Sequence, residues 1–488
     1  MADPTGVVFP RTGERRSTSA LGRAVVADAL RGVDPVGARA AAHETDWRHG
    51  YLVHFRRLVE AGLLSRDAAL TIARDGLASL HARMRYVDAE GRETGLADAV
   101  TGPDDPEPPR TATVTGQGAV EREFSVPYRG RRLRGDELRR RLDDWVAAGV
   151  VEPSCAQAVS AVLANPDWLD LRDQRIVVLG AGAEMGPLPS VLRWGGDVVA
   201  VDLPRPELWR RVLAAARRYG GRLHLPVHPD TATGDDDALA RGAGVDLLHH
   251  LPQVTRWLDG VEGRLVLGNY VYADGATNVR VAMAVDALTD HLGRHRPDVA
   301  LAFLATPTDV FAVPGDAVAH ADRGFARRGM ARRALRVASG GRLLHRNYPP
   351  DADPGINDSL VPQQGPNYAL AKRLQRWRAG AARAAGATVS FHVAPPTRTR
   401  SVLRNRALAA AYAGAHRFGI EVFDPATSNT LMAALLVHDL RTGGGPAHEH
   451  PWQDEAYAAA HGGLWRVPYA PRSALGLAVL LGLGGART

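Results

Sequence analysis

The feature that most constrains this chain is an alternation of apolar runs and helical segments between Arg175 and Val393. Strand-like runs fall at Ile176–Leu179, Val198–Val201, Leu223–Val227, Val245–Leu248, Leu265–Leu267, Val299–Leu304 and Thr388–Val393. Segments of helical period separate most of them, most clearly Val279–Leu292. Near-continuous apolar strands are buried on both faces, and parallel neighbours need a crossover between them. The pattern therefore predicts an α/β unit with a doubly wound parallel sheet covered by helices on both sides. With 488 residues, 45% of them hydrophobic, the chain can bury more than one core.

The first of these strands runs into Gly180-Ala-Gly182-Ala-Glu184-Met185-Gly186, and the second ends at Asp202, twenty residues after Gly182. A glycine at the turn reverses the chain with positive φ. A second lets a pyrophosphate approach the backbone, and a third allows close helix packing. A carboxylate at the end of the second strand accepts hydrogen bonds from ribose hydroxyls. Strand, glycine turn, helix, strand and Asp together predict a Rossmann-type nucleotide-binding core over about residues 173–300. Asp202 favours NAD over NADP because it repels a 2′-phosphate, while Arg205 softens that preference. The same grammar serves S-adenosylmethionine enzymes, so the loop indicates a nucleotide and leaves the reaction open.

Residues 1–100 read as a helical region, with apolar residues at helical spacing through Leu52, Phe55, Leu58, Val59 and Leu63. Arg11 to Arg23 reads as a flexible tail. Thr101 to Thr115, with Pro103, Pro106, Pro108 and Pro109, reads as a linker that opens a segment reaching 172. Within that segment Asp136 and Ser154 are candidate caps for two helices. The catalytic unit is expected over 173–440 with an insertion at about 312–362, and 441–488 as a C-terminal extension. The apolar run Ala474–Leu483 is too short to span a bilayer and reads as a terminal helix, buried or in contact with a membrane surface.

The chain has one lysine, Lys372, in Gly365-Pro-Asn-Tyr368-Ala-Leu-Ala-Lys372. Tyr and Lys four apart share one face of a helix. An ammonium there can lower the phenol pKa and hold ribose hydroxyls, while the phenol exchanges a proton with a substrate oxygen. Tyrosine is scarce, 11 of 488 residues, so the spacing carries information.

The turn at Gly180, Gly182 and Gly186, Asp202, and Asn367-Tyr368-Ala-Leu-Ala-Lys372 together resemble the short-chain dehydrogenase/reductase superfamily over about residues 175–402. The resemblance implies an NAD- or NADP-dependent oxidoreductase acting on a small molecule, with Tyr368 as proton donor or acceptor and Lys372 as its support. It implies a hydroxyl for the substrate carbonyl at Thr308 or Thr306, with Ser359 a competitor. Asn278 matches the family's helical Asn of a proton relay. Asn269, Pro395 and Thr397 lie where that family meets its cofactor, as do Glu184 and Met185 in the glycine loop. It also implies a homo-oligomer. Thr stands where Ser is usual, Pro396 replaces a glycine, and about 60 residues separate Thr308 from Tyr368. Such an insertion suits a lid or an interface.

The formal charge of +7 comes from basic residues spread along the chain, which argues for solubility and steering and against nucleic acid as a partner. Cys155 is the only cysteine, so no internal disulfide is possible and a reducing, cytoplasmic setting is expected, with no secretory signal evident. Neither His249-His250 nor His448-Glu449-His450 has the spacing of a closed metal site. Two other readings stay open: a methyltransferase using S-adenosylmethionine, and a non-catalytic nucleotide-binding structural or sensor protein.

Overall fold

The computed structural model describes residues 4–102, 107–232 and 234–483. Its centre is a seven-stranded sheet of β1 (Arg110–Thr115), β2 (Gln174–Leu179), β3 (Asp197–Val201), β4 (Arg222–Val227), β5 (Arg264–Asn269), β6 (Ala300–Ala305) and β7 (Val389–Val393). In space these run β7-β6-β5-β2-β3-β4-β1. Strands β2 to β7 are parallel, and β1 lies antiparallel on β4. The chain thus winds outward from β2 to β4, returns to the far side of β2, and winds out again through β5, β6 and β7. The order reverses between β2 and β5, the place where sheets of this kind ordinarily bind their ligands.

The helices around this sheet include α1 (Leu188–Arg193), α2 (Pro206–Arg218), α3 (Leu251–Asp259), α4 (Ala276–His295), α5 (Met330–Ala338), α6 (Pro366–Ala384), α7 (Arg406–Ala415), α8 (Pro425–Thr442) and α9 (Pro471–Gly482). Strand alternation decides which layer each side chain joins. Val177, Leu179, Val199, Val201, Leu265 and Leu267 pack with α3, α4, α6 and the N-terminal helices Thr18–Arg31, Trp47–Gly62 and Arg66–Arg83. Ile176, Val178, Val198, Ala200 and Val266 face the other way, into α1, α2, α8 and the helices Gly135–Ala147 and Pro153–Ala164. Each such buried aliphatic side chain stabilises the fold by about 1.5–3 kcal/mol before entropy is counted. Trp194, Trp209 and Trp257 are buried in these layers.

Several expectations change. Val245–Leu248 is a turn rather than a strand. The Asp246 carboxylate accepts from Leu248 N–H at 3.0 Å and contacts the His249 ring at 2.8 Å, an Asx-type geometry that competes with a ladder. Leu247 and Leu248 are buried there, where Val7 N–H donates to Leu248 O and docks the strand Gly6–Val8. Arg11–Arg23 is not a loose tail: Arg11–Thr12 pairs with Arg15–Arg16, and Ser17 caps the helix that starts at Thr18. Of the stretch read as a linker, Arg110–Thr115 forms β1, while Pro103 and Pro106 lie outside the described residues. Asp136 and Ser154 sit inside first turns instead of capping them, and the Ser154 hydroxyl accepts from Ala458 N–H. The insertion is ordered: Val310–Val313 pairs with Gly355–Asp358, and α5 lies between them in sequence. Among the described residues no helix is long and apolar enough to cross a membrane. Cys155 is buried, and burial pushes its thiol up to about 12.

Candidate active site

The glycine turn leaves β2 at the point where strand order reverses. Gly180 has φ +89°, and a Cβ there would sit 2.9 Å from Tyr270 O, so both conformation and space require glycine. A Cβ on Gly182 would come within 2.9 Å of Leu208 on α2 and 3.3 Å of the Asp202 carboxylate. Asp202 follows β3 and accepts from Gly182 N–H at 2.8 Å and from Leu203 N–H at 2.7 Å. Burial pushes its carboxyl up, against the pull of those two amides. Each carboxylate oxygen keeps a further acceptor position for a ribose hydroxyl. The helix after the turn, α1, is only six residues long and starts beyond Pro187, shorter than the sequence grammar implied. Glu184 does not stand free: its carboxylate accepts from Arg400 N–H at 2.8 Å, and its carbonyl accepts from Asn429 on α8 at 3.1 Å. Met185 packs into the core beneath.

Tyr368 and Lys372 lie on α6, which starts after Gly365 with φ +78°. A polar chain meets the phenol. Val361 N–H donates to Gln364 Oε1 at 3.1 Å, which fixes the amide so that Gln364 Nε2 donates to Thr308 Oγ1 at 2.7 Å. Thr308 Oγ1 lies 2.8 Å from Thr306 Oγ1. A side-chain hydrogen bond from Thr306 lowers the Tyr368 pKa, the effect of a donor on the phenol oxygen. With the Thr306 hydrogen so placed, the Thr308 hydroxyl donates to Thr306, which also accepts from Thr308 N–H at 3.3 Å. Burial raises the Tyr368 pKa, and the Thr306 hydrogen bond opposes that rise. The donor direction thus runs from Gln364 through two threonines to the phenol oxygen. The phenolic hydrogen remains available for a substrate oxygen.

Lys372 Nζ donates to Leu304 O at the end of β6 and to Gln375 Oε1, both at 3.2 Å. Gln375 Nε2 in turn donates to Asn269 Oδ1 at the end of β5 at 3.3 Å. Burial pushes the ammonium down to about 8, with Asp309 pulling weakly the other way. The expectation that Lys372 depresses the phenol is not met. Its charge is directed at Leu304 O and Gln375, and the Tyr368 pKa shifts upward with no contribution from it.

A buried ionic clamp holds these parts in register. Asp309, one residue after Thr308, takes Arg373 at 3.0 Å and Arg376 at 2.7 Å, and Arg376 also reaches Glu455 at 2.6 Å. Burial alone would raise the Asp309 carboxyl, but the two guanidinium groups outweigh it and hold it below the usual range. Both arginines are on α6, so the clamp ties the helix of Tyr368 to the loop of Thr306 and Thr308.

The other sequence candidates divide. Asn269 belongs to the Lys372 network. Asn278, on α4, accepts from Ala273 N–H at 3.1 Å and closes the loop after β5, with no bond into the cluster. Thr397 Oγ1 donates to Pro395 O at 2.8 Å and lies 2.6 Å from Ser428, packing the segment after β7. Ser359 binds Asn357 in the insertion hairpin. Gln364, Gln375, Asp309 and Tyr272 were missed. Gln375 was findable as the i+3 neighbour of Lys372. Tyr272 packs edge-on against the Tyr368 ring, centroids 6.2 Å apart, from the loop whose Tyr270 touches Gly180. Gln364 and Asp309 carry no local signal. His450 caps the short helix Pro451–Ala456 and His448 meets Asp454 at 2.8 Å. Among the described residues no group of three His, Cys, Asp or Glu could hold a metal.

The residues present fit a dinucleotide. Lys372 has three donors with two engaged, Asp202 keeps free acceptor positions, and Gly180 and Gly182 leave no side chain at the turn. A comparison with known protein families finds no match, and neither does one with curated proteins. One solved structure that the chain matches is a thiolation-reductase di-domain from an archaeal non-ribosomal peptide synthetase, at 10% identity and a TM-score of 0.28. The match covers 56% of this chain and 54% of that one, so this chain spans about half the length of that structure.

Proposed function

We propose that this protein is an NAD(P)-dependent oxidoreductase that interconverts a carbonyl and an alcohol on a small molecule. The observation that carries the reading is the polarised chain Gln364–Thr308–Thr306–Tyr368, set beside the half-buried Lys372 at the ends of β5 and β6. The sheet supports it: taken from β2, the strand order is 3-2-1-4-5-6, that of doubly wound dinucleotide-binding sheets, whose ligands lie at the order reversal.

A bound nicotinamide would supply or accept the hydride at the substrate carbon. Asp202 would take hydroxyls of one ribose, and the third donor of Lys372 would take those of the other. Tyr368 gives its phenolic proton to the forming alkoxide. The Thr306 hydroxyl, already donating to the phenol oxygen, stabilises the phenolate that this step leaves. In the alcohol-oxidising direction the same atoms accept the proton. Asp202 favours NAD.

Turnover of a panel of aldehydes and ketones, followed by loss of nicotinamide absorbance, tests the reading. Tyr368→Phe should lower kcat by about 10²–10⁴-fold with cofactor affinity and Tm unchanged. A Phe variant as active as the parent would remove the proposed acid.

A further inference from the structure

Helix α5 presents its apolar residues to solvent. Its apolar residues Met330, Ala334 and Val337 form one stripe and Ala331, Leu335 and Ala338 the adjoining one, and all six face solvent. Met330 is 85% and Val337 78% exposed. Arg332 and Arg336 lean over the body of the protein, while Arg332 and Arg333 stay solvent-exposed. The Arg332 guanidinium stands 6.0 Å over Phe418 and 5.9 Å over Tyr469, and donates to Arg417 O at 2.8 Å. Arg336 stands 5.9 Å over Phe325. A nine-residue helix of this pattern would ordinarily bury its apolar half; here cation–π contacts hold it by the other half. The same lobe exposes Leu480 and Leu481 on α9.

Charge around the helix is of one sign. From Arg323 to Pro350 the sequence has eight arginines and no Asp or Glu, and from Arg398 to Ile420 it has five and none. After Glu455 no acidic residue follows. These segments meet in one small core of Leu344, Phe418, Tyr469, Ala474 and Ala478, with Phe325 against it. Among the described residues no arginine from Arg323 to Arg342 pairs with a carboxylate, although Arg346 pairs with Asp322 at the lobe's base.

We propose that α5 docks this protein on an anionic lipid surface. The occupant must be apolar against Met330 and Val337 and negative against the arginines around them. A second copy fails this test, because face-to-face packing would set arginine against arginine. The apolar residues protrude rather than line a groove, which suits insertion among lipid headgroups. Helix α5 is about 13 Å long, enough to lie in that layer and far too short to cross it.

Sedimentation of the full chain with vesicles tests this. Vesicles of phosphatidylcholine with about 30% phosphatidylglycerol should carry the protein down through their negative surface potential, and pure phosphatidylcholine should not. The double variant Met330→Asp, Val337→Asp changes only exposed positions and should lower binding roughly tenfold or more with Tm unchanged. High salt should weaken wild-type binding. No binding to anionic vesicles would overturn the proposal, as would a double variant that binds them equally. Loss of self-association or of an acidic protein partner in that variant, with vesicles ignored, would assign the face to a protein instead.

Discussion

Two polar clusters on helix α6 differ in one respect. Asp309, Arg373, Arg376 and Glu455 are charged and buried, and nearly every strong donor and acceptor in the clamp has a partner. Tyr368, Lys372, Thr306 and Thr308 are also largely enclosed, yet they end in a phenolic hydrogen and an ammonium N–H that no described residue takes. A saturated buried cluster fixes geometry, whereas an unsaturated one has capacity left for a ligand. The clamp holds the neighbouring cluster in place, so under the proposed function the chemistry depends on a carboxylate outside that cluster.

The largest expected effect breaks the clamp. Asp309→Ala leaves Arg373 without its carboxylate partner in a buried setting and should cost about 3–5 kcal/mol of stability in chemical denaturation. A loss below about 1 kcal/mol would mean that the clamp is not buried as described.

The second effect separates the clusters by pH. Lys372 has a folded pKa of about 8 and a higher one unfolded, so above pH 8 the unfolded chain binds more protons at this position. Its contribution to stability therefore rises with pH across that window. Ligand binding should move the other way: nicotinamide affinity should fall above pH 8 as the ammonium is lost, by up to about tenfold. Lys372→Arg, which stays charged, should flatten that limb; an unchanged limb would assign it to another group.

The smallest effect tests the relay. Gln364→Leu removes the donor that orients Thr308 and should lower kcat several-fold, worth about 1 kcal/mol, while KM holds. An equal change in KM would point to substrate contact instead.

Much of the sheet was legible because two-faced burial writes itself as continuous apolar runs. Six of the seven runs became strands within one or two residues, and Val245–Leu248 failed because a buried turn under Gly6–Val8 needs the same apolar residues. Strand β1 was hidden because Pro and charge around Arg110–Thr115 suggest a loop, whereas an edge strand tolerates both. Within the candidate site, Tyr368 and Lys372 stood out by helical spacing, and Thr306 and Thr308 only through the family resemblance. Gln364 and Asp309 were not, since their roles come from the path of the insertion and no periodicity records it. The exposed apolar residues of α5 were equally invisible, because the sequence pattern gives amphipathicity without saying which half faces the protein.

The most direct test is titration of the purified protein and its Lys372→Ala variant with NADH, NADPH and S-adenosylmethionine, followed by nicotinamide fluorescence and thermal shift. The account predicts that a nicotinamide binds, with NADH ahead of NADPH, and that Lys372→Ala weakens it about tenfold, near 1.4 kcal/mol. Binding of S-adenosylmethionine alone, or nicotinamide affinity untouched by the loss of the only lysine, would contradict it.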